Sequence, residues 1–233
     1  MIENKKEFFG GFIMMAIFIA VLIAIFIPLF DKQDGTKQNA LEYLDDLYNS
    51  ISKGSAYYIP DVKEKADAYM GKDVEVTLAM ADSEQAEQTL KLYETAGCNV
   101  TASDNELKVS GDLGKIMAAS LVDADSMYYN KGEEIKGRHG YDERQVVYNW
   151  WKSFKAMDKD LKAQKKFEEA KILSEVVKKA VETSYNYYTI EPQKITEKLA
   201  IVLFSLIFYV AYTLFYGFAI MFMFEGWGLK LSH

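Results

Sequence analysis

Two stretches of the chain carry no charged residue, and they decide what it can fold into. Phe8 to Phe30 runs for 23 residues and Leu199 to Phe224 for 26 without Asp, Glu, Lys or Arg. As helices, at about 1.5 Å per residue, they reach roughly 34 and 39 Å, against about 30 Å of bilayer hydrocarbon. A helix buried in a soluble core seldom stays uncharged for so long. Both are therefore read as transmembrane α-helices, the first over 8–30 and the second over 192–224 including its lead-in. Residues 1–7 and 225–233 are then short tails, and a water-soluble body lies between the spans.

Lys5 and Lys6 give the first stretch a basic flank, as in a secretory leader. The apolar run is too long for the usual leader, and it ends Ile27-Pro28-Leu29-Phe30 with no small-x-small cleavage pattern. The expectation is an uncleaved signal anchor in a two-pass integral membrane protein. Two passes put both termini on one side. The lysines before the first span favour cytoplasmic termini, although Lys32, Lys37, Lys194 and Lys198 on the body side weaken that vote. The body is expected to be extracytoplasmic, periplasmic if the source is bacterial.

The body holds nearly all the charge. Setting aside three lysines and three glutamates in the tails leaves 24 basic and 31 acidic residues, a net of -7. Its only arginines are Arg138 and Arg144. An acidic, arginine-poor body is a poor partner for nucleic acid and for anionic lipid head groups. Cys98 is the single cysteine, so cysteine-rich zinc sites, iron–sulfur clusters and intrachain disulfides are excluded. It reads as a small apolar residue at a strand start, with an intermolecular disulfide as the sharper alternative.

Within the body the pattern is α+β and mostly helical. Residues 31–71 read as a helical segment: a helix over 36–53 with Thr36 as N-cap and Ala40, Leu44, Leu47 and Ile51 as its stripe, then a short helix from Pro60 to Gly71. Residues 72–130 read as a small β-α-β-β-α unit. Val74, Val76 and Leu78 alternate as in a strand. Asp82 with Gln85 caps a helix, Cys98–Ala102 and Leu107–Val109 form a hairpin, and Asp112 caps a helix over 113–128. This order resembles most of a split βαβ, ferredoxin-like unit, but no fourth strand follows the second helix. In residues 141–191, Asp142 and Gln145 cap a helix with the seam Val147, Trp150, Phe154, Met157 and Leu161. The phase breaks at 162–166, and a second stripe follows: Ala170, Leu173, Val177, Ala180 and Ser184. A helical hairpin is preferred over one long helix. Lys166-Phe167-Glu168-Glu169-Ala170 resembles the start of the second helix of a tetratricopeptide repeat, but one partial unit does not make such an array.

Three features carry functional weight. In the spans, Ala16, Ala20 and Ala24 form a small-residue ridge, and Ser205, Tyr209, Tyr212 and Tyr216 put hydroxyls on one helical face. Such faces suit helix packing, against each other or against a membrane-protein partner or second copy. Tyr57-Tyr58, Tyr128-Tyr129, Trp150-Trp151 and Tyr187-Tyr188 are adjacent aromatics. Sugars and flat cofactors bind such rings, but neighbours on a helix diverge by about 100°, so one ring of each pair is expected in the core. Finally, a loop over 137–144 gathers Arg138, His139 and Arg144 as candidate ligand-binding residues for an anion. No H-E-x-x-H, G-x-S-x-G, G-x-G-x-x-G or complete phosphate-loop pattern occurs, so no metal, cofactor or catalytic residue is assigned.

These readings favour a non-catalytic accessory or scaffold protein in a larger membrane complex, with the lipid bilayer and a membrane protein or homo-oligomer as partners. The alternatives are a membrane-tethered sensor or ligand-binding module and an enzyme of unrecognised type.

Overall fold

The computed structural model describes residues 2–32 and 35–229. The chain divides into two compact units, residues 1–51 together with 192–233, and residues 52–191.

The first unit is built on two helices long and apolar enough to cross a membrane, α1 (Lys5–Phe26) and the last helix, Ile195–Gly226. Only 6% and 11% of their most apolar windows are buried, whereas a soluble core helix would be covered. Asn4 caps α1, accepting from the Lys6 and Glu7 amides at 3.2 and 3.4 Å. The helix stops at Phe26, four residues before the end expected from composition. Pro28 clashes with a helical residue before it, and Ile27 is extended (φ -72°, ψ 131°). A two-residue antiparallel pair follows that the sequence reading lacked, β1 (Phe30–Asp31) with β2 (Lys37–Gln38). The Lys37–Asp31 ion pair at 2.7 Å and Phe30 stacked on Tyr43 at 5.0 Å accompany it.

α2 (Ala40–Ser55) starts later than expected. Its cap is Asn39, whose Oδ1 accepts from Glu42 N at 2.9 Å while Glu42 Oε2 accepts from Asn39 N at 3.2 Å. This reciprocal box satisfies two orphan amides, which Thr36 would have reached only if the strand pair were helix. The final helix likewise begins at Ile195, three residues beyond Pro192, so 192–194 is an extended lead-in.

The second unit opens with α3 (Ile59–Asp67), entered through Pro60, and β3 (Asp73–Ala79). α4 (Ser83–Thr95), β4 (Asn99–Ser103), β5 (Glu106–Asp112) and α5 (Leu113–Tyr128) follow. The sheet is antiparallel throughout in the order β3-β5-β4. That is the split βαβ arrangement without its fourth strand. Val74, Val76, Leu78, Leu107 and Val109 face the core. Glu75, Thr77, Lys108 and Ser110 leave the opposite face exposed.

A helix closes the β3 edge, where a fourth strand would otherwise pair. α7 (Glu143–Ala163) lies against β3. Asp160 Oδ2 accepts from Thr77 N at 3.1 Å, and Gln164 Nε2 donates to Glu75 O at 2.8 Å. Side chains thus take up backbone groups that an exposed edge would offer to another chain. Asp142 caps α7, and its seam of Val147, Trp150, Phe154, Met157 and Leu161 is buried throughout.

The chain turns after α7. Lys165 sits in the left-handed region (φ 61°), and Lys166 N bonds back to Leu161 O at 2.9 Å, closing a Schellman-type end. α8 (Phe167–Val176) returns, passes through a π turn at Val177–Val181, and ends as α9 (Glu182–Asn186). The second stripe, Ala170, Leu173, Val177, Ala180 and Ser184, is buried along this arm. Residues 141–191 are therefore a hairpin of two arms.

Candidate functional site

The two apolar helices pack antiparallel, because early α1 residues meet late residues of the second helix, here α10 (Ile195–Gly226). Phe8 lies against Trp227 and Gly226, Gly11 against Ala219 and Met223, and Phe18 against Tyr212 and Tyr216. The contact is close. A Cβ on Gly11 would stand 2.7 Å from the Ala219 carbonyl oxygen, and one on Gly226 would stand 2.7 Å from Phe8 Cα. Small residues let helix backbones approach, and dispersion and polar contacts then hold them in lipid. Glu3 N and Asn4 N both donate to Gly226 O at 3.0 Å, tying the two ends.

This interface uses a different side of α1 from the alanine ridge. Ala16, Ala20 and Ala24 are exposed, and Gly11 and Phe18 take the contact instead. Periodicity alone could not choose between the two sides. The hydroxyl residues of α10 divide as well. Ser205 Oγ meets Tyr48 Oη at 2.7 Å and donates to Val202 O, and Tyr212 Oη donates to Phe18 O at 2.8 Å. Tyr209 is 68% exposed and Tyr216 41%. The two helices leave the ridge and Tyr209 without a partner of their own.

In the second unit, the residues singled out at 137–144 are not in a loop. Gly132–His139 is a helix, α6, stopped by Gly140 in the left-handed conformation. Its acidic first turn and basic last turn match the helix dipole, which explains how a short, charge-rich stretch becomes helical. Arg138 and His139 point onto one buried carboxylate. Asp123 Oδ1 accepts from Arg138 Nε at 3.0 Å and lies 2.9 Å from Nη2. Asp123 Oδ2 takes His139 Nε2 at 2.8 Å and Trp150 Nε1 at 2.7 Å. Arg138 Nη2 also donates to Ser126 Oγ at 3.0 Å. The Asp123 and His139 side chains are each 2% exposed.

Three elements build this cluster. α5 is buried on most of its surface, so its Asp123 has no route to water and must be paired internally. The hydrogen-bonding pattern puts a proton on His139 Nε2. His139 Nδ1 is buried and has no partner among the described residues. An aspartate beside a histidine suggests acid–base chemistry, but this imidazole is sealed and its carboxylate is fully engaged. The cluster joins α5, α6 and α7. Arg144 takes other company: its guanidinium lies over Tyr188 at 4.9 Å and Tyr185 at 6.0 Å. The three candidate ligand-binding residues therefore do not form one open anion site.

Two further polar centres escaped the sequence reading. Asn149 is fully buried; its Oδ1 accepts from Gln85 and Gln145 at 3.1 and 2.8 Å, and its Nδ2 donates to Gln88 and Tyr141 at 3.1 and 3.4 Å. Lys53 is 1% exposed at the end of α2. Its Nζ donates to Asn130 Oδ1 at 3.1 Å, Tyr187 O at 3.0 Å and Ile190 O at 2.6 Å. All three ammonium protons are used, and Tyr128 donates to the Lys53 carbonyl. Burial lowers the Lys53 pKa, and the nearby Glu191 charge opposes that shift. Nothing local marks this lysine out in sequence, because its acceptors lie 77 to 137 residues away.

Only two of the four adjacent aromatic pairs put a ring in the core; Tyr57, Tyr187 and Tyr188 are part-buried. Tyr128 and Trp150 are buried, and Tyr58 and Tyr129 are exposed. Cys98 is half-buried with its thiol pushed up to about 11 by burial and by the Asp112 charge, which suppresses the reactive thiolate. Among the described residues no group of three or more His, Cys, Asp or Glu side chains is placed to hold a metal. No protein-family model matches the chain, and the searches of curated proteins and of solved structures found no match.

Proposed function

We propose that this is a two-pass, membrane-anchored accessory or scaffold protein whose α+β body, extracytoplasmic in this reading, is carried on a pair of spans that join a further membrane helix. The observation that carries the reading is the one-sided pairing of α1 with α10. Gly11, Phe18 and Tyr212 meet within the pair, while Ala16, Ala20, Ala24 and Tyr209 remain outside it. A phenol in hydrocarbon costs free energy unless its hydroxyl finds a partner, and a small-residue ridge offers close approach to one. The sealed Asp123–His139 pair supports a structural role for the residues that most resembled a catalytic group.

A photo-crosslinking amino acid at Ala20 or Tyr209, in full-length protein in its native membrane, tests this. The expected result is a discrete adduct with another polypeptide, either a second copy or a different chain. Adducts with lipid alone at both positions, with a crosslinker at Phe18 reporting only the intrachain pair, would refute the reading.

A further inference from the structure

Between residues 162 and 179 the chain carries six lysines and three glutamates, a local excess of positive charge in a protein of net charge -7. The fold gathers part of this run into an open groove of about 430 Å³ along α8, the end of α7 and the π turn. Ser174, one helical turn beyond the buried Ala170, contributes a small side chain to it, and Lys162, Lys171 and Lys178 contribute ammonium groups. Phe167 also lines it and is 61% exposed, an unusual place for a large ring.

Two of the four lysines lining the groove are paired internally and two are not. Among the described residues Glu175 is the only acid lining the groove, and it is already paired: Lys65 and Lys179 each stand 2.6 Å from its Oε1. Hydrogen bonds from Lys179 and then Lys65 hold its carboxyl below the usual range, so it stays ionised and keeps both lysines. Lys162 pairs with Asp158 at 2.6 Å. Lys171 and Lys178 are exposed and make no ion pair among the described residues. The π turn inserts an extra residue into the helical register just where Lys178 and Lys179 leave the backbone, and such turns frequently mark working surfaces.

We infer that this groove docks an acidic segment of a partner protein, its carboxylates on Lys171 and Lys178 and an apolar side chain against Phe167. Charge complementarity selects the occupant. Lysines present point charges that suit scattered carboxylates, and none of the groove's cations is an arginine fork built for planar, bidentate phosphate recognition. Small, partly exposed Ser174 leaves room for a side chain of the segment. The inference goes beyond the accessory reading, which rests on the spans, and the two fail separately because this site is assayed by soluble peptide.

The test uses full-length protein in neutral-lipid nanodiscs and a fluorescent peptide of glutamates and aspartates around a central Leu-Phe. Saturable binding is expected, weakening as salt rises and falling by about tenfold in Lys171→Glu/Lys178→Glu, as loss of two exposed pairs and gain of repulsion imply. The Lys171→Arg/Lys178→Arg protein should bind as well as the parent, showing that charge is what matters, and unchanged thermal unfolding of all variants excludes misfolding. Phe167→Ser should weaken binding with the charges intact. Absence of saturable binding, or binding indifferent to the charge reversal, would overturn the proposal. So would capture of phosphatidylserine vesicles that depends on Lys171 and Lys178 while the peptide does not bind, or a dimer that the double reversal abolishes.

Discussion

Replacing Asp123 with leucine should cost the protein about 3–5 kcal/mol, a large share of the 5–15 kcal/mol that holds a typical domain together. The carboxylate is 2% exposed and engages Arg138, His139 and Trp150 at once. A leucine keeps the branched outline but is bulkier, so some overpacking adds to the electrostatic loss. The Trp150 and His139 N–H groups become buried donors without acceptors, each worth about 1–3 kcal/mol. Arg138 is 32% exposed and recovers some hydration, which keeps the total below that for a fully buried ion. Asp123→Asn should fall between, because its amide nitrogen would face a donor at one of the two oxygen positions. Denaturant unfolding of the full-length protein, followed by tryptophan fluorescence, reads these losses, and Trp150 is itself a reporter. A change below 1 kcal/mol in Asp123→Leu would mean that the cluster is not the joint between α5, α6 and α7.

The second large effect is expected at Lys53. Lys53→Met keeps the aliphatic stem but removes a charge that satisfies three acceptors, and hydrogen bonds to charged groups contribute about 1.5–3 kcal/mol each. Desolvation of the ammonium offsets part of that gain, so a net loss of about 3 kcal/mol is expected, or roughly 6–12 °C in melting temperature for a domain of this size. Lys53→Arg should not restore it. The Asn130, Tyr187 and Ile190 oxygens surround a point charge, and a planar guanidinium is longer and presents its donors in a fork. Differential scanning fluorimetry of the two variants checks this, and a Lys53→Met protein that melts with the parent would remove Lys53 from the account.

The local signals in the sequence were reliable where short-range chemistry decides. Asp82, Asp112 and Asp142 cap the helices they were expected to cap. Alternation identified β3, and the absent fourth strand was legible because no apolar alternation follows α5. The break at 162–166 is a turn for the reason its polarity suggested. Errors came where two local solutions compete. Thr36 and Asn39 can both cap a helix, and the β1–β2 pair decides for Asn39. The 137–144 stretch has two glycines and few apolar residues, yet Gly140 stops a helix that the charges on either side favour.

The candidate site was less legible because its partners are distant in sequence. Arg138 and His139 were singled out, but Asp123, which defines their role, sits among the apolar residues of α5. A charged residue inside an otherwise buried helical stripe was the available signal. The alanine ridge met a different obstacle: α1 is apolar all round, so composition fixes that it can span but not which side faces α10. Gly11 and Gly226 make that choice through close backbone approach.

Extraction of native membranes with alkaline carbonate tests the membrane-anchored account most directly. With α1 and α10 both lodged in lipid, the full-length chain stays in the membrane pellet at its intact mass. Release into the supernatant, or recovery of a product shortened by removal of α1, would contradict it.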